Sequence, residues 1–229
     1  MTLINTNARS LCPKIDSLID CFQELSVDIA IITETWLKDG QDLEQNLSDL
    51  EHGAGLSLIP LNREPNPATG VAHGGVAVVY RKKVGSFKKI DFPNPHGYEV
   101  LPVVGSIRGS SRKLVVIAAY LPPNYTVPRG AGCLEHIENV LVHVKQRFKD
   151  PFIALGGDFN QWSGEDAIAE YPDMREVLVG PTRGDRAIDR LFTNMSRSLI
   201  TSGTVPPLEA EQSLSDHRVA YASFKIQRQ

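Results

Sequence analysis

Long apolar runs are missing from this 229-residue chain. None approaches the roughly 18 consecutive residues that a membrane-spanning helix needs, so no membrane partner is expected. Cysteine is nearly missing too. The three residues, Cys12, Cys21 and Cys133, are odd in number and form no CxxC pair. That pattern offers neither a disulfide framework nor a zinc or redox motif, and buried or free thiols are the expected state. Cys12 and Cys21 also fall too far apart along one predicted helix to bridge easily. The N-terminus lacks a basic stretch followed by an apolar one, so the chain reads as intracellular. No repeat at a solenoid period and no linker divides the sequence, and an ordinary composition, 41% hydrophobic and 22% charged, argues against disorder. One domain spanning residues 1–229 is the simplest reading. An excess of positive charge is lacking as well: the net charge is −3, whereas proteins that wrap nucleic acid are usually basic overall. Local basic faces remain available, because phosphate contacts depend on local charge. Arg81-Lys82-Lys83 with Lys88-Lys89, and Arg108 with Arg112-Lys113, are candidates, although solvated strand ends and turns have the same composition.

What is present is an alternation of strand and helix patterns. Leu3 to Asn7 reads as a first strand. Pro13 then opens a helix with Ile15, Leu18, Ile19, Phe22 and Leu25 at spacings of three and four. Asp28 to Thr33 is a short buried strand; residues 40–55 are ambiguous, and 61–73, rich in Pro, Asn and Gly, read as loop. Strands are expected at 76–80, 99–107 and 113–120, the last two joined by a turn at 108–111. A helix over 131–148 leads to a buried strand at 152–155, followed by a short helix within 163–170 and strands at 188–193, 199–205 and 218–225. About ten strands mixing hairpins and crossovers, with few helices, predict two mixed sheets packed together with the helices outside.

The chemistry-bearing residues gather at strand ends, where side chains converge on one mouth of a sheet. Gly157-Asp158-Phe159-Asn160 follows the strand Phe152 to Leu155, and Ser215-Asp216-His217 precedes the strand at Val219 to Ala222. Glu34 closes the strand Ile29 to Ile32. Taken alone, each is also what a turn or a helix start shows. Together they fit metal-assisted cleavage of a phosphate ester, which needs a cation on the phosphate, an oriented water and stabilisation of the leaving oxygen. Mg²⁺ prefers oxygen ligands and keeps several waters, so one or two carboxylates suffice.

Asn7, Ile-Thr-Glu34-Thr-Trp, Gly-Gly-Asp158-Phe-Asn160, Ile-Asp189-Arg and Ser-Asp216-His217 occur in an order that resembles the endonuclease/exonuclease/phosphatase superfamily. Asn-Ala-Arg-Ser-Leu, Gly-Gly-Val-Ala-Val, Pro-Thr-Arg-Gly and Asp-Arg-Leu-Phe-Thr-Asn are similar to endonuclease domains of non-LTR (LINE-type) retrotransposons, particularly chicken-repeat-like and jockey-like elements. The resemblance covers essentially residues 3–225. It implies a four-layered α/β sandwich, DNase I-like, that nicks double-stranded DNA in the nucleus with Mg²⁺, or with Mn²⁺ substituting. The nick leaves a 3′-hydroxyl for target-primed reverse transcription by a fused reverse transcriptase. By the same resemblance Glu34 binds the metal with Asn7 beside it, and Asp216 joins the metal or water network. Asp158 orients or deprotonates the attacking water, and Asn160 holds that residue or the phosphate. His217 contacts the scissile phosphate with its ring oriented by Asp189, a pairing that fixes a tautomer and favours the charged ring. Tyr120 hydrogen-bonds the phosphate or steadies the leaving group; a core tyrosine is the alternative. Thr182 is placed near the DNA, where Ser or Thr positions the duplex rather than reads it, with a turn-holding role as the alternative.

Two departures qualify this expectation. Only six residues separate Thr182 from Asp189 (residues 183–188), so the hairpin with which such elements probe DNA is short here. Arg183 and Arg186 are then expected to supply phosphate or minor-groove contacts with little site selectivity. Abasic-site endonucleases of the superfamily usually carry an acid two residues after the first asparagine, where this chain has Arg9. A phosphoesterase acting on abasic DNA, an inositol phosphate or a lipid phosphodiester, and a non-catalytic DNA-binding derivative, remain the competing readings.

Overall fold

Among the described residues, twelve strands and two α-helices follow one another in an order that builds two sheets. The computed structural model describes residues 1–38, 48, 50, 54–64, 73–178, 180–205 and 215–226. One sheet contains β1 (Thr2–Asn7), β2 (Ile29–Thr33), β3 (Leu56–Leu61), β4 (Val76–Arg81), β11 (Leu199–Val205) and β12 (Val219–Phe224), in the order β11-β12-β1-β2-β4-β3. The other contains β5 (Gly85–Lys89), β6 (Glu99–Ile107), β7 (Lys113–Tyr120), β8 (Phe152–Asp158), β9 (Arg175–Glu176) and β10 (Asp189–Thr193), in the order β5-β6-β7-β8-β10-β9. Each sheet is mixed, with one parallel pair (β1–β2 and β7–β8) among antiparallel ones.

Alternation of side chains along the strands separates three apolar layers. Leu3, Ile29, Ile31, Val76 and Val78 meet Leu101, Val103, Leu114, Val116, Ala154 and Leu191 between the sheets. On the outer face of the first sheet, Ile4, Ala30, Ile32, Ala77 and Val79 pack with Ile15, Leu18, Cys21 and Phe22 of α1 (Ile15–Glu24). On the outer face of the second, Val115, Ile117, Ile153, Leu155 and Phe192 pack with Cys133, Ile137, Leu141 and Val144 of α2 (Val127–Arg147). Helix, sheet, sheet, helix are the four layers that the sequence pattern predicts. Cys21 and Cys133 are free thiols, and burial pushes both up to about 12, well away from a reactive thiolate.

Boundaries shift where local chemistry is stronger than periodicity. α2 begins at Val127 rather than 131, because Pro128 suits a first helical turn. The short helix expected within 163–170 is a 3-10 turn at Asp166–Ile168. Leu61 ends β3 instead of opening a loop; 62–64 are irregular, and 65–72, like most of 40–55, lie outside the described residues. Edge strands β5 and β9 were not expected, because Gly-Ser-Phe-Lys-Lys and Arg-Glu carry too little apolar alternation to read as strand.

Within the second sheet, β8 leaves no room for a side chain at Gly157. A Cβ on Gly157 would stand 1.7 Å from the backbone oxygen of Ala119 on the neighbouring strand. Backbone cannot yield as a flexible side chain does, so Gly157→Ala is expected to cost about 3 kcal/mol or more. Thermal unfolding checks this: the variant melts several degrees below the parent, and an equal midpoint would contradict the packing described.

Candidate active site

Strand parity decides which side chains enter the gap between the sheets. Leu3 faces the inter-sheet layer and Ile4 the outer one, so Asn5 and Asn7 share the inner side of β1. The same count puts Tyr120 on the side of Ala118, Asp158 on that of Ala154, and Asp189 on that of Leu191. Register then lines them up: Tyr120 pairs with Asp158, and Asp158 with Asp189, forming one row across the second sheet. Opposite that row, Asn7 pairs with Thr33, the residue before Glu34.

The two sheets meet chemically at Asn7. Its amide nitrogen donates to Glu34 Oε1 at 2.9 Å and to Asp158 Oδ2 at 3.0 Å. Its oxygen accepts the Arg9 N–H at 3.1 Å, which fixes the orientation of the amide. In this arrangement Asn7 orients two carboxylates and keeps its oxygen for the backbone. The Tyr120 hydroxyl donates to the same Glu34 oxygen at 2.9 Å. Asp158 Oδ1 accepts the N–H of Asn160 at 3.0 Å, while the Asn160 amide donates to the Leu121 carbonyl at 3.0 Å. Asn160 has φ of +49°, a conformation asparagine tolerates better than most residues. His217 Nδ1 lies 2.8 Å from Asp189 Oδ2, with both side chains almost wholly inaccessible.

Asp158, Asp189 and His217 each offer a ligand atom, all within 4.8 Å of one another. Burial and the neighbouring Asp189 charge hold the Asp158 carboxyl well above the usual carboxylate range, against the opposing pull of His217, Asn7 and the Asn160 N–H. Burial alone would depress His217, but its hydrogen bond to Asp189 and the charges of Asp189, Asp158 and Asp216 prevail and raise it. Asp189 Oδ1 is buried with no hydrogen-bond partner among the described residues. An orphaned carboxylate oxygen beside Asp158 and His217 is what a hard, oxygen-seeking cation would relieve, so this donor set fits a divalent metal.

The remaining sequence candidates stand at the rim. Asp216 is outside the buried cluster. Its carboxylate lies 3.1 Å from Arg9 Nη1 and 3.0 Å from Arg183 Nη2, and these cations hold it below its ordinary pKa against the upward push of burial. Arg183 and Arg186 flank Gly184 and Asp185 in a two-residue hairpin turn that opens with Gly184 at φ +55°. Thr182 is fully buried, and its hydroxyl accepts the N–H groups of Ile188 and Asp189 at 3.2 and 3.0 Å. It therefore braces the hairpin and the Asp189 strand, and a direct phosphate contact gives way to the turn-holding alternative. Arg81 and Lys113 lie at the strand ends away from the site, as the pairings Ile29–Tyr80 and Ser106–Lys113 require. The basic runs around them do not border the cluster.

Two site residues escaped the sequence reading. Asn5 donates to the carbonyls of Gly157 and Arg190 at 3.0 and 3.1 Å, tying the sheets together beneath the cluster. Its alternation with Leu3 and Asn7 was the available signal. Glu99 pairs with Tyr120 and extends the row by one strand; a lone acid at the start of a strand gave no signal.

A DNase I-like sandwich whose sheets meet in a buried group of carboxylates and histidine is a phosphoesterase architecture. The chain belongs to the endonuclease/exonuclease/phosphatase family, whose model matches residues 3–217. Among solved structures it is similar to an AP endonuclease from Archaeoglobus fulgidus (TM-score 0.68, 16% identity, covering 99% of this chain and 100% of that one). It is also similar to the endonuclease domain of TRAS1, a telomere-specific non-LTR retrotransposon (0.67, 14%, 99% of both chains). A third is a humanized D. rerio TDP2 with 14 mutations (0.69, 15%, 99% of both chains). No curated protein matches in sequence. At these identities the structural likeness carries the fold. No helix among the described residues is long and apolar enough to cross a membrane.

The His217–Asp189 pair predicts a pH dependence. A histidine whose pKa is raised by folding contributes stability that is complete below its unfolded value, about 6.5, and is lost as pH rises through the higher folded value. Asp158 runs the same way in a lower window, since its raised folded pKa means that stability is lost as pH climbs from the unfolded carboxylate value towards the raised one. In metal-free protein, the His217 ring followed by NMR is expected to titrate above 6.5, and Asp189→Asn to lower that midpoint. Titration at or below 6.5 in the parent would sink the pairing.

Proposed function

We propose that the chain is a divalent-metal-dependent DNA endonuclease of the non-LTR retrotransposon kind, which nicks one strand of a duplex. The observation that carries this reading is the Asn7 bridge, which sets Glu34 and Asp158 side by side next to the Asp189–His217 pair. Glu34 would hold the metal, Mg²⁺ or Mn²⁺ in its place, with Asp158 and Asp189 close enough to share its charge. The metal, when bound, supplies charge stabilisation at the phosphate and at the leaving oxygen.

The chain's own groups do the rest. Asp158, with its pKa raised toward neutrality and its Oδ1 steadied by the Asn160 N–H, accepts a proton from the attacking water. The His217 ring, with Nδ1 engaged by Asp189, offers Nε2–H to a phosphate oxygen as a charge-assisted donor. Tyr120 holds Glu34 in place and lies next to where the leaving oxygen's charge develops. Arg9, Arg183 and Arg186 at the rim meet neighbouring phosphates, contacts that position DNA without reading its sequence. With a probing hairpin only two residues wide at its tip, cutting is weakly selective. In this reading the 3′-hydroxyl at the nick primes reverse transcription by an enzyme fused to this domain, in the nucleus.

Incubation with supercoiled plasmid and Mg²⁺ is expected to yield open circles carrying a 3′-hydroxyl, and chelation to stop the reaction. Glu34→Ala and His217→Ala are each expected to slow nicking about 10²- to 10⁴-fold, the range for losing a positioned catalytic group. Nicking at the parental rate by either variant rules out the assignment. Faster turnover of abasic DNA, an inositol phosphate or a lipid phosphodiester than of plain duplex would move the chain to another phosphoesterase activity. Duplex binding without cleavage would make it a non-catalytic derivative.

A further inference from the structure

Glu99 pairs with Tyr120 just as Tyr120 pairs with Asp158, so the cross-sheet row contains a third acid. Its residue is 4% exposed. A carboxylate at that depth is costly unless its oxygens are engaged. Oε2 accepts the N–H of Gly75, and Oε1 lies 3.2 Å from Arg63 Nη1. Neither partner belongs to the reacting set described above.

The Gly75 contact leads to Glu34. The Gly75 carbonyl accepts the Thr35 N–H at 3.2 Å, and the Gly74 carbonyl accepts the Trp36 N–H at 2.9 Å. Glu34 and Trp36 both have positive φ, +50° and +51°, conformations that non-glycine residues keep only when their surroundings impose them. The packing leaves no slack. A Cβ on Gly74 would lie 2.7 Å from Glu99 Oε2, and one on Gly75 would lie 2.6 Å from Thr35 Oγ1. The glycine pair that in sequence merely introduces β4 is thus pressed between Glu99 and the segment that carries Glu34.

We infer that Glu99 is a positioning residue: by holding Gly75 it imposes the left-handed conformations of Glu34 and Trp36 and so aims Glu34 at Asn7 and Tyr120. Its effect on cleavage rests on the proposed role of Glu34, while its effect on the backbone does not. The reach of the acceptor matters more than its charge. Burial pushes Glu99 up to about 7, with the Gly75 N–H and Arg63 pulling the other way, and either protonation state keeps an oxygen for Gly75.

Two conservative variants separate reach from charge. Glu99→Gln keeps the reach and loses the charge; Glu99→Asp keeps the charge and is shorter by one methylene. Amide hydrogen exchange of Thr35 and Trp36 in metal-free protein is the first measurement, and plasmid nicking with Mg²⁺ the second. Glu99→Gln is expected to retain parental protection at both amides and to nick within about threefold of the parent. Glu99→Asp is expected to lose that protection while the Arg218 amide, bonded to Thr182 across the site, stays protected, and to nick at least about tenfold more slowly. Parental exchange in Glu99→Asp, or equal impairment of the two variants, overturns the inference. Should the parent itself fail to nick, the endonuclease reading falls, and the exchange measurement still decides the role of Glu99.

Discussion

One side-chain amide holds this site together. Asn7 stands at the end of a strand in one sheet and donates both its hydrogens to acids, Glu34 beside it and Asp158 in the other sheet. Two carboxylates facing each other in a buried gap repel, and each resists losing its water. A donor shared between them lowers both costs and fixes their separation. The amide is itself locked by the Arg9 N–H, and Asn5 ties the sheets two residues earlier. Catalytic geometry and sheet packing are therefore one structural problem here.

The electrostatics follow from that confinement. Burial and the proximity of Asp189 keep Asp158 reluctant to ionise, while Asp189 keeps His217 ready to stay charged. A carboxyl that tends to keep its proton and an imidazole that tends to stay charged thus lie within 4.8 Å of each other, their tendencies set by environment rather than residue type. At the rim, Asp216 neutralises part of the charge of Arg9 and Arg183. Its sequence neighbour His217 points inward, so the Asp-His motif divides its two residues between two jobs.

Much of this was legible in the sequence. About ten strands mixing hairpins and crossovers, with few helices, predict two packed sheets, and the acids Glu34 and Asp158 at strand ends mark the mouth. What stayed hidden depended on burial and register, which periodicity does not encode. Glu99 reads as an ordinary strand-opening acid until the pairing with Tyr120 places it underground. Thr182 in Pro-Thr-Arg-Gly reads equally as a residue near DNA or as a turn holder, and only the structure shows two backbone amides on its hydroxyl. Asp216 and His217 cannot be told apart by spacing, because neighbouring residues share an address and differ only in the direction they face.

Asn7 joins the acids of the two sheets, Glu34 and Asp158, in one hydrogen-bonded unit. Phosphodiester cleavage by Asn7→Ala at saturating Mg²⁺, in protein whose circular dichroism matches the parent, tests it most directly. Loss of the bridge displaces Glu34 relative to Asp158, and misplacement of about 1 Å can cost on the order of 10²-fold in rate. A fall of about that size is predicted. A folded Asn7→Ala variant that cuts within twofold of the parent would contradict the account.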